Sequence, residues 1–374
     1  MSLQVSYKKQ FIFGMMLIIL LFFIIELSSQ IFYLIKSEEN CFLINWNIYP
    51  ELNRESKKQI CNDLDNLLFF DNYWYVDMIP NQYLETITIN SDGFRGNEIT
   101  KDNSTDKIKI FVVGGSTVFG WASSLDDTTI PGYLQKNFDQ KSNYNVEIIN
   151  AGIPNAWSFT ELNLIKEKIL QFNPDIIIIY DGWNDVGKST ISWLNYFNIN
   201  ESEQKKPSIN DNHIIKKILA NFKTTTLLRD GNELVTEKLN KNSHTRAHQE
   251  YEKELVNAWS NNLKTICELG EMNNFDTIII LQPLVGTGER ELNEHDERWF
   301  KTDNHKETLN SYHLYEKALE SLEQNCTATF NYLDVFDDYD YPVYYDVGHT
   351  VDKGNEIIAE KIFKSLTPIM KTNE

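Results

Sequence analysis

The sequence predicts an α/β fold: a three-layer α/β/α sandwich on a five-stranded parallel sheet, preceded by one N-terminal transmembrane helix. Three observations carry this expectation. Short runs dense in Ile and Val alternate with longer stretches of helical period, the pattern of a parallel sheet covered on both faces. Small turn-forming residues stand where those runs end. A long apolar run opens the chain.

Lys8 and Lys9 precede Phe11–Ile35, whose one charged residue is Glu26. A helix of that length reaches about 37 Å, enough to cross a hydrocarbon core of about 30 Å. A buried core helix of this length would show a polar face, and none is seen before Glu26. The lysine flank predicts a cytoplasmic N-terminus, with the rest of a single-pass chain outside the cell membrane. A cleaved signal peptide is the competing reading, although the run is long and the cleavage pattern poor. The expected organisation is residues 1–10 cytoplasmic, 11–35 anchor, 36–106 a juxtamembrane stalk or wrap, and 107–374 the main domain.

The expected strands are Ile108–Val113, Val146–Asn150, Ile176–Tyr180, Thr277–Gln282 and Tyr332–Val335. Among the helices, Ser158 with Glu161 reads as a capping box, followed on one face by Leu162, Ile165 and Ile169. Tyr251, Leu255, Trp259 and Ile266 trace a second apolar stripe, and a last helix runs from about Lys353 to Leu366. Two segments, about 188–249 and 286–305, break the rhythm as insertions after strand ends. Loops of such length are lids or disordered insertions.

The 374 residues include 54 Asp and Glu against 35 Lys and Arg, a net charge of −19. That balance repels phosphate backbones, so no nucleic-acid partner is expected. It also disfavours docking of the domain onto an anionic membrane surface. Four cysteines, with sequons at Asn103, Asn200 and Asn325, are compatible with export. Cys41–Cys61 and Cys267–Cys326 are taken among three possible connectivities, with isolated thiols as the alternative.

The chemistry-bearing residues stand at the ends of the expected strands. Gly114-Gly115-Ser116-Thr117 follows the first, Asn150-Ala151-Gly152 the second and Asp181-Gly182-Trp183-Asn184-Asp185 the third. Asp346-Val347-Gly348-His349 precedes the last helix. Each taken singly is also an ordinary turn, and their placement is what unites them: all fall on one edge of the sheet, where open α/β sheets bind ligands. A serine hydroxyl needs a base, and His349 is available. The spacing from Asp346 lets a carboxylate reach its imidazole from the same loop. His295, Asp296, Glu297 and His305 lack a firm metal-ligand spacing, and no metal or cofactor is expected. Trp121, Trp157 and Trp183 lie near these blocks, as core packing or as surfaces for a sugar ring.

Together the blocks resemble those of the SGNH (GDSL-like) hydrolases, whose Ser, Gly, Asn and His match Ser116, Gly152, Asn184 and His349. The Gly-x-Asn-Asp block is intact at Gly182–Asp185 and the Asp-x-x-His block at Asp346–His349. Asn90-Ser91-Asp92-Gly93-Phe94-Arg95 resembles a segment found ahead of the first strand in membrane-tethered members, and Gly354-Asn355 their last helix start. The likeness runs from about Asn90 to Leu366, and Gly115 replaces the Asp of Gly-Asp-Ser. It implies a membrane-anchored serine esterase, with Ser116, Asp346 and His349 catalytic and an oxyanion hole from Ser116, Gly152 and Asn184. The expected substrate is a small-molecule or glycan ester, with an O-acyl or O-acetyl group outside the membrane. O-acyltransfer by the same triad is the first alternative. A non-catalytic glycan-binding or scaffold protein is the second.

Overall fold

The computed structural model describes residues 6–40, 48–71, 75–100, 107–186 and 248–372. Of the two expected insertions, the first therefore lies almost wholly outside the described residues. The N-terminal helix, Tyr7–Asn40, belongs to one compact unit and the sheet with its helices to another. Within that helix Tyr7–Phe32 has a mean hydropathy of 2.7 and side chains that are almost all exposed. By length and composition it can cross a membrane, and a signal sequence has the same properties. Glu26 is buried and accepts a hydrogen bond from Gln30 Nε2 at 3.0 Å.

Ahead of the main sheet come two short antiparallel pairs, β1 (Phe69–Asp71) with β2 (Val76–Met78) and β3 (Gln82–Tyr83) with β4 (Thr88–Ile89). The main sheet comprises β5 (Ile108–Gly114), β6 (Val146–Gly152), β7 (Ile176–Asp181), β8 (Asp276–Leu281) and β9 (Ala328–Asn331). Its order is β6-β5-β7-β8-β9, all parallel, so the expected five-stranded sheet is present.

Alternation along each strand divides the core, because successive side chains point to opposite faces. Phe111, Val113, Ile177 and Ile179 join one apolar layer with Trp259, Leu263 and Ile266 of the helix His248–Asn273. Tyr75, Val76, Met78 and Phe94, from the region ahead of the sheet, belong to the same layer. Ile110, Val112, Ile178 and Ile280 join the other, with Leu134 and Phe138 of Ile130–Lys141 and Ile358, Ile362 and Leu366 of Asp352–Thr372. Burial on both faces is why these strands read as continuous apolar runs.

Two local expectations are corrected. The fifth strand is Ala328–Asn331, and Tyr332–Val335 turns away after it, closed by Val335 N–H on the Tyr332 carbonyl at 3.0 Å. An edge strand with half-exposed side chains needs no apolar run, whereas Tyr332 and Val335 are apolar because the turn buries them. Ser158 is the first residue of its helix, not the cap. Trp157 holds that place, its N–H donating to Thr160 Oγ1 at 3.0 Å while the same hydroxyl donates back to the Trp157 carbonyl. Cys267 and Cys326 form a disulfide, as expected. Cys61 is also disulfide-bonded, and its expected partner Cys41 lies outside the described residues.

Candidate active site

The strand order creates the site. From β5 the chain passes to one side, into β6, and later to the other, into β7, so the segments leaving their carboxyl ends diverge around a crevice. Ser116, Gly152 and Asn184 stand at the ends of those three strands.

Ser116 opens a one-turn helix, Ser116–Phe119, directly after β5. A side chain on Gly114 would overlap Val118, and one on Gly115 would overlap the Asn184 amide, so the paired glycines let the turn fold tightly. His349 Nε2 lies 2.6 Å from Ser116 Oγ, and His349 Nδ1 lies 2.7 Å from Asp346 Oδ2. The other Asp346 oxygen accepts the backbone N–H groups of Gly348 at 3.0 Å and His349 at 2.9 Å. Burial alone would raise the Asp346 carboxyl, but the electrostatic pull of His349 and these hydrogen bonds outweigh it and hold the group below the usual carboxylate range. An ionised Asp346 accepts a hydrogen bond from Nδ1–H, which keeps that proton on Nδ1 and leaves Nε2 to accept from the serine. The structure thus brings Ser116, His349 and Asp346 together in one relay.

Asn184 lies in the short helix Trp183–Val186, and its Nδ2 donates to the Ala156 carbonyl at 2.6 Å, leaving a second amide hydrogen. The turn from Gly182 is anchored from behind. Asp185 accepts the Ser158 N–H at 3.0 Å and the Ser158 hydroxyl at 2.5 Å, while Asn262 Nδ2 donates to Ser158 Oγ. Burial, with Glu161 and Asp185 nearby, pushes the Asp181 carboxyl up, and Trp259 Nε1 donates to it at 3.1 Å.

The Gly152 N–H donates to Asn150 Oδ1 at 3.0 Å. A Cβ there would overlap the Phe119 backbone nitrogen, so Gly152 serves the close approach of β6 to the Ser116 helix. Asn150 also donates through Nδ2 to the Phe119 carbonyl at 3.3 Å.

Trp183 meets the His349 ring edge-on at 4.9 Å and fits because Gly348 has no side chain. Trp121 lies 6.3 Å from the same ring, and both tryptophans are half-buried. Trp157 is buried against Phe159. His295 and His305 support the relay loop through backbone contacts: His305 Nε2 bonds the Val285 carbonyl at 2.6 Å and His295 Nε2 the Tyr345 carbonyl at 3.2 Å. Asp296 pairs with Arg290. Asp185, Ser158 and Asn150 brace the site as well; Asn150 and Asp185 lie inside the strand-end blocks, and Ser158 opens the helix that follows β6.

No model of a known protein family matches the chain, and no curated protein matches it. Among solved structures it is similar to the acetyl xylan esterase AlAXEase, at 14% identity over 69% of this chain and 99% of that one, with a TM-score of 0.40. It is also similar to a catalytic mutant of Axe2, an acetylxylan esterase from Geobacillus stearothermophilus, at 14% identity over 71% and 95% with a TM-score of 0.39. TesA is similar at 10% identity over 70% and 99%, also with a TM-score of 0.39. Likenesses of this degree carry no weight for activity, which rests on the side chains themselves.

Proposed function

We propose that this chain is a serine hydrolase of carboxylic esters that works through an acyl-serine intermediate on Ser116. The observation that carries the reading is the unbroken relay Asp346–His349–Ser116 at the mouth of β5, with bonds of 2.7 and 2.6 Å. Ser116 Oγ attacks the ester carbonyl carbon while His349 Nε2 takes its proton. The tetrahedral adduct collapses, the alcohol leaves with that proton, and water then attacks the acyl-serine with His349 again as base. The oxyanion donors in this reading are the Ser116 N–H, at a helix position without an intrahelical acceptor, and the remaining Asn184 amide hydrogen. Gly152 contributes close approach.

The substrate we favour is an O-acyl or O-acetyl ester on a glycan outside the cell membrane. The half-buried Trp121 and Trp183 beside His349 suit a sugar ring. The apolar N-terminal helix behind Lys8 and Lys9, with the Cys267–Cys326 disulfide, supports an anchored, extracytoplasmic domain.

A fluorophosphonate probe applied to membranes carrying the full-length chain tests the chemistry. Labelling of Ser116 in the wild type, lost in Ser116→Ala, is the expected result, and an unlabelled wild type overturns the reading. Protease added to intact cells should digest the domain. Protection until the membrane is ruptured would refute the orientation.

A further inference from the structure

The segment Asn90–Arg95 has no part in the relay, yet it is tightly built. Asn90 Oδ1 accepts the N–H groups of Asp92 at 3.0 Å and Phe94 at 2.9 Å, and Gly93 takes a positive φ of 77°. The loop seats Phe94 in the apolar layer, edge-on to Phe111 at 5.6 Å. It then delivers Arg95, whose N–H pairs with the Asn150 carbonyl of β6 at 3.3 Å.

The Arg95 side chain is wholly buried. Nε meets Asp126 Oδ1 at 2.8 Å, and Nη2 donates to the Thr86 carbonyl at 3.2 Å. Nη1 donates to the Phe119 carbonyl at 3.0 Å and to the Gly120 carbonyl at 2.8 Å. Those two carbonyls close the helix that Ser116 opens. One turn of helix leaves its last carbonyls without intrahelical donors and is too short to hold itself. A cation at the carbonyl end also complements the helix dipole. Burying a guanidinium carries a desolvation penalty that an apolar side chain would avoid. What Arg95 adds is therefore geometry.

We propose that Arg95 is a positioning residue that clamps the Phe119–Gly120 end of the nucleophile helix and so fixes Ser116 Oγ against His349. This rests on the reading of Ser116 as nucleophile. The planar guanidinium spans Asp126 and both carbonyls at once, and a lysine ammonium, a point donor, does not.

The test compares the full-length wild type with Arg95→Lys and Asp126→Asn. It uses p-nitrophenyl acetate turnover, fluorophosphonate labelling, melting curves and amide exchange at Gly120 and Trp121, whose N–H groups close the helix on the Ser116 carbonyl. Arg95→Lys should lower kcat by about 10²-fold, as a small misplacement of a reacting group does. KM should stay nearly unchanged, labelling should slow in proportion, and the acid limb of the pH–rate profile should keep its midpoint. Exchange at Gly120 and Trp121 should quicken. Asp126→Asn keeps the carbonyl bonds, so it should lower the melting temperature yet retain kcat. A folded Arg95→Lys with wild-type kcat and exchange overturns the proposal, as does an Asp126→Asn that loses as much kcat as Arg95→Lys. If the wild type is not labelled at Ser116, the nucleophile reading fails, and amide exchange still decides whether the clamp exists.

Discussion

The imidazole of His349 lies 2.6 Å from the hydroxyl of Ser116, although 233 residues separate the two in the chain. Neither residue is held there by its sequence neighbours alone. Ser116 is carried to the crevice by β5, and His349 by a loop tied at the Val347 carbonyl to the Val285 N–H and at the Gly348 carbonyl to the Thr117 hydroxyl.

Replacing Asn184 by Ala should lower kcat for a short-chain ester by about 10²–10³-fold, the usual cost of one oxyanion donor. The melting temperature should change little, because Asp185 and Ser158 still anchor the turn. Steady-state kinetics beside a melting curve check this, and unaltered turnover would remove Asn184 from the hole.

The Asp346 carboxyl is held below its ordinary range in the folded protein. A depressed carboxylate stabilises the fold above its unfolded value, about 3.9, and that contribution disappears as pH falls through the lower folded value. Asp346→Asn should therefore flatten the acid end of the stability profile. It should also cut activity by orders of magnitude, because the imidazole loses both its tautomer and its counter-charge. Full activity with reduced stability would make Asp346 only a loop anchor.

Gly152→Ala tests the close approach of β6 to the Ser116 helix. The new methyl overlaps the backbone at Phe119, so the Ser116 helix must shift, and labelling of Ser116 should slow sharply. A variant that labels at the wild-type rate would show that the two backbones are not in close contact.

The Cys267–Cys326 disulfide joins positions 59 residues apart. By chain entropy it should contribute about 4 kcal/mol to stability. Replacing both cysteines by serine should lower the denaturant midpoint while leaving kcat unchanged in the folded protein, because neither cysteine takes part in the relay.

Burial left a plain trace in the chain. Ile176–Ile179 could be recognised as a strand because both of its faces are covered, and Trp259 and Ile266 as a helical stripe because one face is. Ser116, Asn184, Asp346 and His349 stood out because turn residues at strand ends place them on one edge of the sheet. β9 escaped because a half-exposed edge strand has no reason to be apolar. The partners of polar atoms left no such trace. That the Gly152 N–H turns to Asn150, that Asp185 holds Ser158, and that Arg95 reaches the Phe119 carbonyl depend on which elements the fold sets side by side. Periodicity records whether a side chain is buried, and only the tertiary structure decides against what.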